Sequence, residues 1–160
     1  MDFSGTETVE VAIGEVWKYL VDVRKVAACG PGFQDLEEIE PEHWKAHVSI
    51  GIGPIKAKLM LDVTRPEIHE PDLMVIKVHG KASGSAIEVV TRMSLIALEA
   101  KQTCMDWHAN VVVGGMLASI GTRLMNSAAE KLTEQFFTCL KDHLQSQTAS
   151  ETSSSTQAEN

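Results

Sequence analysis

The sequence predicts an α+β fold in which a curved antiparallel sheet of about six to seven strands wraps around one long C-terminal helix, with two short helices after the first strand. Apolar and polar residues alternate through most of residues 43–113, which is typical of strands with one buried face. From residue 116 onward, apolar residues recur every three or four positions, which indicates a helix. That helix is the only large apolar element left to cover the sheet.

The N-terminal segment combines one strand with one or two short helices. Residues 3–11 are rich in Thr and Val and predict the first strand. Residues 14–29 then place apolar side chains on one side of a helix. Pro31 cannot continue a helix, and the glycines beside it permit positive φ, so the sequence predicts a corner here. The apolar side of these helices consists of Val16, Leu20, Val23, Val26 and Ala27.

The two-residue period predicts the remaining strands. Gly53-Pro54 turns the chain between two alternating runs and predicts a long hairpin. Residues 67–72 predict a further turn, and residues 81–85 break the next run. Beyond Phe33, the predicted strands cover residues 43–52, 55–64, 72–80, 87–98 and 103–113.

The C-terminal part divides into a helix and a tail. The helix is predicted to follow Gly114-Gly115 directly. Residues 145–160 contain no apolar residue beyond two alanines, so we expect a disordered polar tail after a ligand-binding domain of residues 1–144. The predicted helical stripe is Leu117, Ile120, Leu124, Ala128, Leu132, Phe136 and Leu140.

Composition excludes several classes of function. The net charge of −8, from 14 Lys+Arg against 22 Asp+Glu, opposes nucleic-acid binding and tight attachment to anionic lipid. The longest apolar run, residues 111–121, is too short for a bilayer, which needs about 20 residues. With no signal pattern at the N-terminus, we expect a soluble cytoplasmic protein. Its three widely spaced cysteines, Cys29, Cys104 and Cys139, predict reduced thiols.

No catalytic or metal motif is convincing. His43 and His47 have a zinc-like spacing, but four residues of strand span roughly 13 Å, too far for one metal. The glycine-rich residues 51–56 join two strands and do not open a helix, so they do not predict a phosphate site. We therefore predict neither a metal site nor a catalytic group.

The face of the sheet that meets the helix is predicted to be apolar, with Thr91 nearly its only polar group. A register slip near Gly80 or Gly84 would bring His79 or Glu88 inside. Three methionines on this face suit a pocket for a variable apolar ligand, although taken alone they are more often plain core filling. The residues predicted to contact such a ligand are Phe33, Leu59, Met74, Ile76, Met93, Leu95, Met105, Trp107, Leu117, Ile120, Leu124 and Ala128.

Four ordered stretches carry a resemblance to a known family. The stretches are FSGTETVEVAIGEVWKYLVD, PGFQDLEE, VSIGIGPIKAKL and GGMLASIGTRLMNSAAEKLTEQFF. With these stretches in this order, the chain resembles the carbon monoxide dehydrogenase G-subunit family, within the START-like helix-grip superfamily, over roughly residues 2–142.

The resemblance implies a function as well as a fold. It implies a cavity for an isoprenoid quinone or related lipid, with no covalently bound cofactor. The implied partners are the subunits of a molybdenum-containing carbon monoxide dehydrogenase or related hydroxylase. Recruitment of such an enzyme implies transient membrane contact, at the inner face of the membrane.

Two other functions remain open from the sequence. A cyclase-type enzyme requires at least two titratable groups inside the cavity. An assembly protein requires only a collapsed, well-packed interior. The corner CGPGFQDLEEI is likewise open to two interpretations: a cavity rim gated by Phe33, or a helix terminator joined to a strand.

Overall fold

The computed structural model describes the backbone of residues 1–158 and the side chains of residues 1–147. A short 3₁₀ helix, Met116–Ile120, precedes the last helix. The other elements, in chain order, are β1 (Asp2–Val9), α1 (Ile13–Leu20), α2 (Val23–Ala28), β2 (Phe33–Glu40), β3 (His43–Ile52), β4 (Ile55–His69), β5 (Leu73–Ala82), β6 (Ser85–Glu99), β7 (Gln102–Gly115) and α3 (Thr122–Ala158).

The seven strands form one antiparallel sheet in the order β1-β7-β6-β5-β4-β3-β2. The predicted α+β architecture is therefore confirmed, with seven strands and two short helices after β1. Helix α3 contacts both β1 and β3, which lie near opposite edges of the sheet. Twisted antiparallel sheets curve, which brings strands near both edges within reach of the one helix that covers the sheet.

Two clusters of buried side chains join the helix to the sheet. The first cluster packs α1 and the C-terminal part of α3 against β1 and the middle strands. The second cluster packs the β3–β4 hairpin against the 3₁₀ helix and the start of α3. The most buried members of the first are Val9, Val11, Val16, Met74, Met105, Leu140 and Leu144, and the second consists of Ile52, Ala57, Leu59, Leu117 and Met125.

The corner between α2 and β2 is tightly hydrogen-bonded. The Gly30 amide donates to Ala27 O at 2.9 Å and ends the helix, while Gly32 O accepts from the Ser49 amide at 2.9 Å and starts the pairing with β3. Gly32 has φ of 73°, which confirms the predicted positive φ at this position. The corner therefore depends on a residue without a Cβ atom.

Two boundaries differ from the predictions. Strand β4 continues to His69 through most of the predicted turn at 67–72, because a bulge between Thr64 and Glu67 shifts its pairing with β5. Helix α3 begins at Thr122 rather than directly after Gly115, because a 3₁₀ helix and positive φ at Gly121 intervene. The helix extends to Ala158, and the disordered character expected of residues 145–160 stays a prediction.

A helix can continue through polar residues because its backbone hydrogen bonds lie within the segment itself. Residues 159–160 lie outside the described part of the chain, and the division of the chain at residue 144 stays a prediction. None of the helices in the described part has the length and apolar character needed to cross a membrane.

The cysteines correct the sequence prediction. Cys29 and Cys139 form a disulfide bond between the corner and α3, with Cα atoms 5.5 Å apart, whereas Cys104 on β7 is free. The prediction of three reduced thiols is therefore wrong for this pair. Spacing could not reveal it, because packing of the corner against α3 brings together residues 110 positions apart.

We expect Gly32→Ala to destabilise the fold by at least about 1–3 kcal/mol, the usual cost of left-handed backbone at a non-glycine residue. An added Cβ would also collide with the Ser49 carbonyl. Gly51→Ala is the matched control, because a Cβ there meets nothing within 4 Å. Urea unfolding of both variants measures the difference, and equal midpoints would contradict this account of the corner.

Candidate ligand-binding site

A cavity of about 200 Å³ lies between the α1–α2 pair, strands β2–β5 and helix α3. It occupies the gap between the two clusters: Leu20 belongs to the first cluster and Phe136 packs against it, whereas Val48 and Leu61 on the other side pack against the second. The described residues that line it are Leu20, Val23, Val26, Ala27, Gly30, Phe33, Leu36, Ala46, Val48, Leu61, Val63, Arg65, Ile76 and Phe136.

The local periodicity explains why these side chains converge. Leu20, at the end of α1, and Val23, Val26 and Ala27 on α2 belong to the predicted apolar side of the short helices. Alternate residues of a strand share one face of the sheet, which brings Ala46 and Val48 together on β3 and Leu61 and Val63 together on β4. The cavity is therefore apolar because two amphipathic patterns meet there.

Arg65 is the single charged residue among those lining residues, and its side chain is only 8% exposed. Its guanidinium donates to Glu42 through Nε at 2.7 Å and Nη2 at 2.9 Å, and through Nη1 to Val21 O at 2.7 Å. It also lies over the Trp44 ring, 4.7 Å from the centroid. These contacts hold a permanent positive charge in a fixed position beside apolar surface.

The predicted ligand-contacting residues separate into several groups. Phe33 and Ile76 line the cavity. The first cluster contains Met74, Leu95 and Met105 as buried members, with Met93 and Trp107 packed against it. The second contains Leu59 and Leu117, with Ile120 and Ala128 packed against it.

Most of the predicted contacts are thus core residues that flank the cavity. Met74 and Met105 are 2% and 0% exposed, which is the packing expected of core filling. Whether a ligand reaches them stays a prediction. Leu124 is 41% exposed, and Met125 is buried in its place, because the later start of α3 changes which side chains face the sheet.

Trp107 lines a separate surface groove between β1 and α3, of about 590 Å³. Its ring stacks on Phe137 with centroids 5.7 Å apart, and Phe137 in turn meets Phe136 edge to face at 5.2 Å. Phe136 lines the cavity, so this row of three aromatic rings lies between the groove and the cavity.

The polar groups considered from the sequence lie away from the cavity. His79 pairs with Glu88 across β5 and β6 at 3.2 Å, and both side chains are substantially exposed, so the register slip does not occur. His43 and His47 lie on β3 and contact different carboxylates, as a strand assignment predicts. Neither pair forms a site with the lining residues.

Sequence reasoning missed several lining residues although the signals were present. The apolar side of the short helices was identified but not assigned to the site. Arg65 has the same strand phase as Leu61 and Val63, so alternation already placed it on the inner face. Leu36 offered a weaker signal, because β2 is irregular, with register shifts at both ends.

Comparison with known proteins adds a family and a fold. The family model for the G subunit of carbon monoxide dehydrogenase (CoxG) matches residues 5–145. No curated protein matches the chain.

Three solved structures are similar in fold. A conserved protein from Geobacillus kaustophilus has a TM-score of 0.86 at 24% identity, over 91% of this chain and 96% of that one. A START superfamily protein from Mycobacterium smegmatis has a TM-score of 0.70 at 12% identity, over 91% and 97%. The Zhui aromatase/cyclase from Streptomyces sp. R1128 has a TM-score of 0.68 at 12% identity, over 91% and 93%. At these identities the likeness shows a START-like fold and nothing further.

We expect Arg65→Ala to lower the free energy of unfolding by about 1.5–3 kcal/mol, since it removes charged hydrogen bonds from a buried side chain. Glu42→Gln should cost only about 0–1 kcal/mol, because Glu42 is half exposed and the bond to Val21 O remains. Denaturant unfolding of both variants measures the two losses. A loss as small for Arg65→Ala as for Glu42→Gln would show that Arg65 does not hold this edge of the cavity together.

Proposed function

The chain belongs to the carbon monoxide dehydrogenase G-subunit (CoxG) family, and from this we propose that it is a non-enzymatic carrier that binds a hydrophobic molecule between the sheet and α3. The observation that carries the proposal is the cavity, in which thirteen of the fourteen described lining residues have no charged or polar side chain. Binding at such a surface is favoured by roughly 25 cal/mol of free energy for each Å² of apolar ligand area that is removed from water.

The chemistry of the cavity favours a ligand with a long apolar part and one polar end. Three of the five N–H groups of the Arg65 guanidinium are used by Glu42 and Val21, so two donors remain for an acceptor oxygen. An isoprenoid quinone or a lipid combines a ring carbonyl or headgroup oxygen with an apolar chain. We therefore place the polar end beside Arg65 and the chain among the apolar residues.

The same chemistry argues against catalysis in this cavity. A cyclase needs at least two titratable groups around its substrate, and Arg65 is the only titratable residue among the described lining residues. A guanidinium stays protonated and cannot act as a general base. Similarity in fold to an aromatase/cyclase at 12% identity does not supply the missing groups.

The size of the cavity favours a second candidate function. About 200 Å³ is below the 300–1,000 Å³ that drug-sized ligands usually occupy, so a carrier must widen to take up its ligand. An assembly protein with a nearly collapsed interior would need no such widening. Binding experiments separate the two functions.

The wider role rests on the family. We extend the proposal to recruitment or assembly of a molybdenum-containing carbon monoxide dehydrogenase-like enzyme, with transient contact at the inner face of the membrane. The support is the family description, which names one component of a dehydrogenase. The net charge of −8 makes nucleic acid an unsuitable partner.

The first experiment asks whether the cavity retains a lipid. The purified protein is incubated with a total membrane lipid extract and washed, and bound species are identified by mass spectrometry. We expect a stoichiometric isoprenoid quinone or lipid in the wild type. Ala27→Phe should reduce retention at least about tenfold, because one added aromatic side chain fills much of a 200 Å³ cavity.

Ala28→Phe is the matched control, since Ala28 is the exposed neighbour on the same helix. It should retain as much ligand as the wild type. Equal loss in both variants would place binding outside the cavity. A wild-type protein that retains nothing from a complete extract would favour the assembly function, and co-purification with the dehydrogenase would then be the decisive assay.

Phe33 is proposed as the gate of the cavity. It is half-buried, lines the cavity and follows directly on the rigid corner at Gly32. Phe33→Ala should raise the rate of ligand uptake at least about threefold, because a smaller side chain narrows the passage less. The domain should stay folded. Ile39→Ala, at an exposed position of the same strand, is the control. Stopped-flow binding of a fluorescent isoprenoid measures the rates, and unfolding without altered uptake per folded molecule would refute the gate.

A further inference from the structure

Four side chains that the carrier function does not use converge where α1, α2 and α3 meet. They are Tyr19 on α1, Cys29 at the end of α2, and Cys139 and His143 one turn apart on α3. The Cys29 Sγ lies 3.6 Å from His143 Nδ1, and the Tyr19 hydroxyl lies 3.0 Å from the same nitrogen. The two sulfurs and Nδ1 all lie within 4.8 Å of one another.

This donor set matches the requirements of a borderline-soft divalent cation. Zinc prefers thiolate and imidazole ligands, with bonds of about 2.3 Å to sulfur and about 2.0–2.1 Å to nitrogen. Tetrahedral geometry with these bonds separates a sulfur from a nitrogen by about 3.6 Å. The distance between Cys29 Sγ and His143 Nδ1 is therefore already that of two ligands of one ion.

We propose that, once the Cys29–Cys139 disulfide is reduced, Cys29, Cys139 and His143 form a binding site for Zn²⁺ or a cation of the same class. A dithiol reductant supplies the two electrons and two protons: the S–S bond breaks, two thiols form, and the reductant becomes a cyclic disulfide. Zn²⁺ then displaces the two thiol protons, so that two thiolates balance its charge. The ion itself undergoes no redox change.

The surroundings suit a fourth ligand and an entry path. The Tyr19 hydroxyl lies 3.0 Å from His143 Nδ1 and 3.8 Å from Cys29 Sγ, so it offers an oxygen beside the site. Cys139 and His143 line an open surface groove, through which an ion reaches the sulfurs without passing the cavity.

The site would preserve the link that the disulfide makes. Cys29 immediately precedes Gly30, which lines the cavity, and Cys139 belongs to α3. A metal bound to both sulfurs would connect the corner to α3 under reducing conditions as the disulfide does under oxidising ones. This inference is independent of which ligand the cavity takes.

The test is a zinc titration of the full chain in its two redox states. The protein is reduced with dithiothreitol, desalted under argon and titrated with Zn²⁺ against a chromophoric chelator, and an air-oxidised sample is treated in parallel. We expect one Zn²⁺ per reduced chain and none per oxidised chain. Cys139→Ser and His143→Ala should each lower the zinc affinity at least about tenfold, because each removes a proposed ligand. Removing a residue that only hydrogen-bonds a ligand already costs about that much.

Cys104→Ser is the matched control, because Cys104 lies on β7 outside the cluster. It should bind zinc as the wild type does. Cobalt substitution gives a second readout, a thiolate-to-metal charge-transfer band that should weaken in Cys139→Ser. The proposal is overturned if the reduced wild type binds zinc no more tightly than Cys139→Ser does. It is also overturned if the reduced and oxidised proteins bind zinc equally. The redox comparison uses unaltered protein, so it remains decisive even if a variant fails to fold.

Discussion

The packing of α3 against the curved sheet is the interaction on which the rest of the molecule depends. The helix contacts strands near opposite edges of a seven-stranded sheet and buries apolar side chains towards both ends of its contact. Between these two clusters the side chains do not fill the space, and the cavity lies there. The candidate site is thus a consequence of covering one wide apolar face with one helix.

The α2–β2 corner closes this space from the side, and its rigidity comes from three different sources. Gly32 permits the tight approach to Ser49, the Cys29–Cys139 bond ties the chain to α3, and Arg65 connects the turn before α2 to the β2–β3 turn. Arg65 combines a structural role with the one charge among the described residues that line the cavity. All three constraints act on elements that border the cavity, which links the stability of the fold to the proposed carrier function.

Much of the fold and part of the site could be predicted from the residues. Alternation in β3, β4 and β6 identified the inner faces, because a half-buried sheet imposes a two-residue period that no other structure shares. The spacing of apolar residues likewise identified the apolar side of α1 and α2. Leu124 was misplaced because a helical stripe specifies a period but not the residue at which the helix begins. The pattern could not separate core from cavity at Met74 and Met105, since both environments require the same inward apolar side chain, and their contact with a ligand stays a prediction.

The sequence by itself determined the order of the elements, the faces that are buried and the apolar character of the interior, because each depends on the local pattern of side chains. It also carried the family resemblance, since the glycines and prolines at the corner, the hairpin and the start of the helical region are ordered along the chain. Only the tertiary structure decided where the packing leaves a gap, that Cys29 meets Cys139, and that Tyr19 and His143 stand beside them. These contacts join residues more than 100 positions apart, and they arise from how α3 crosses the sheet rather than from any local preference of the chain.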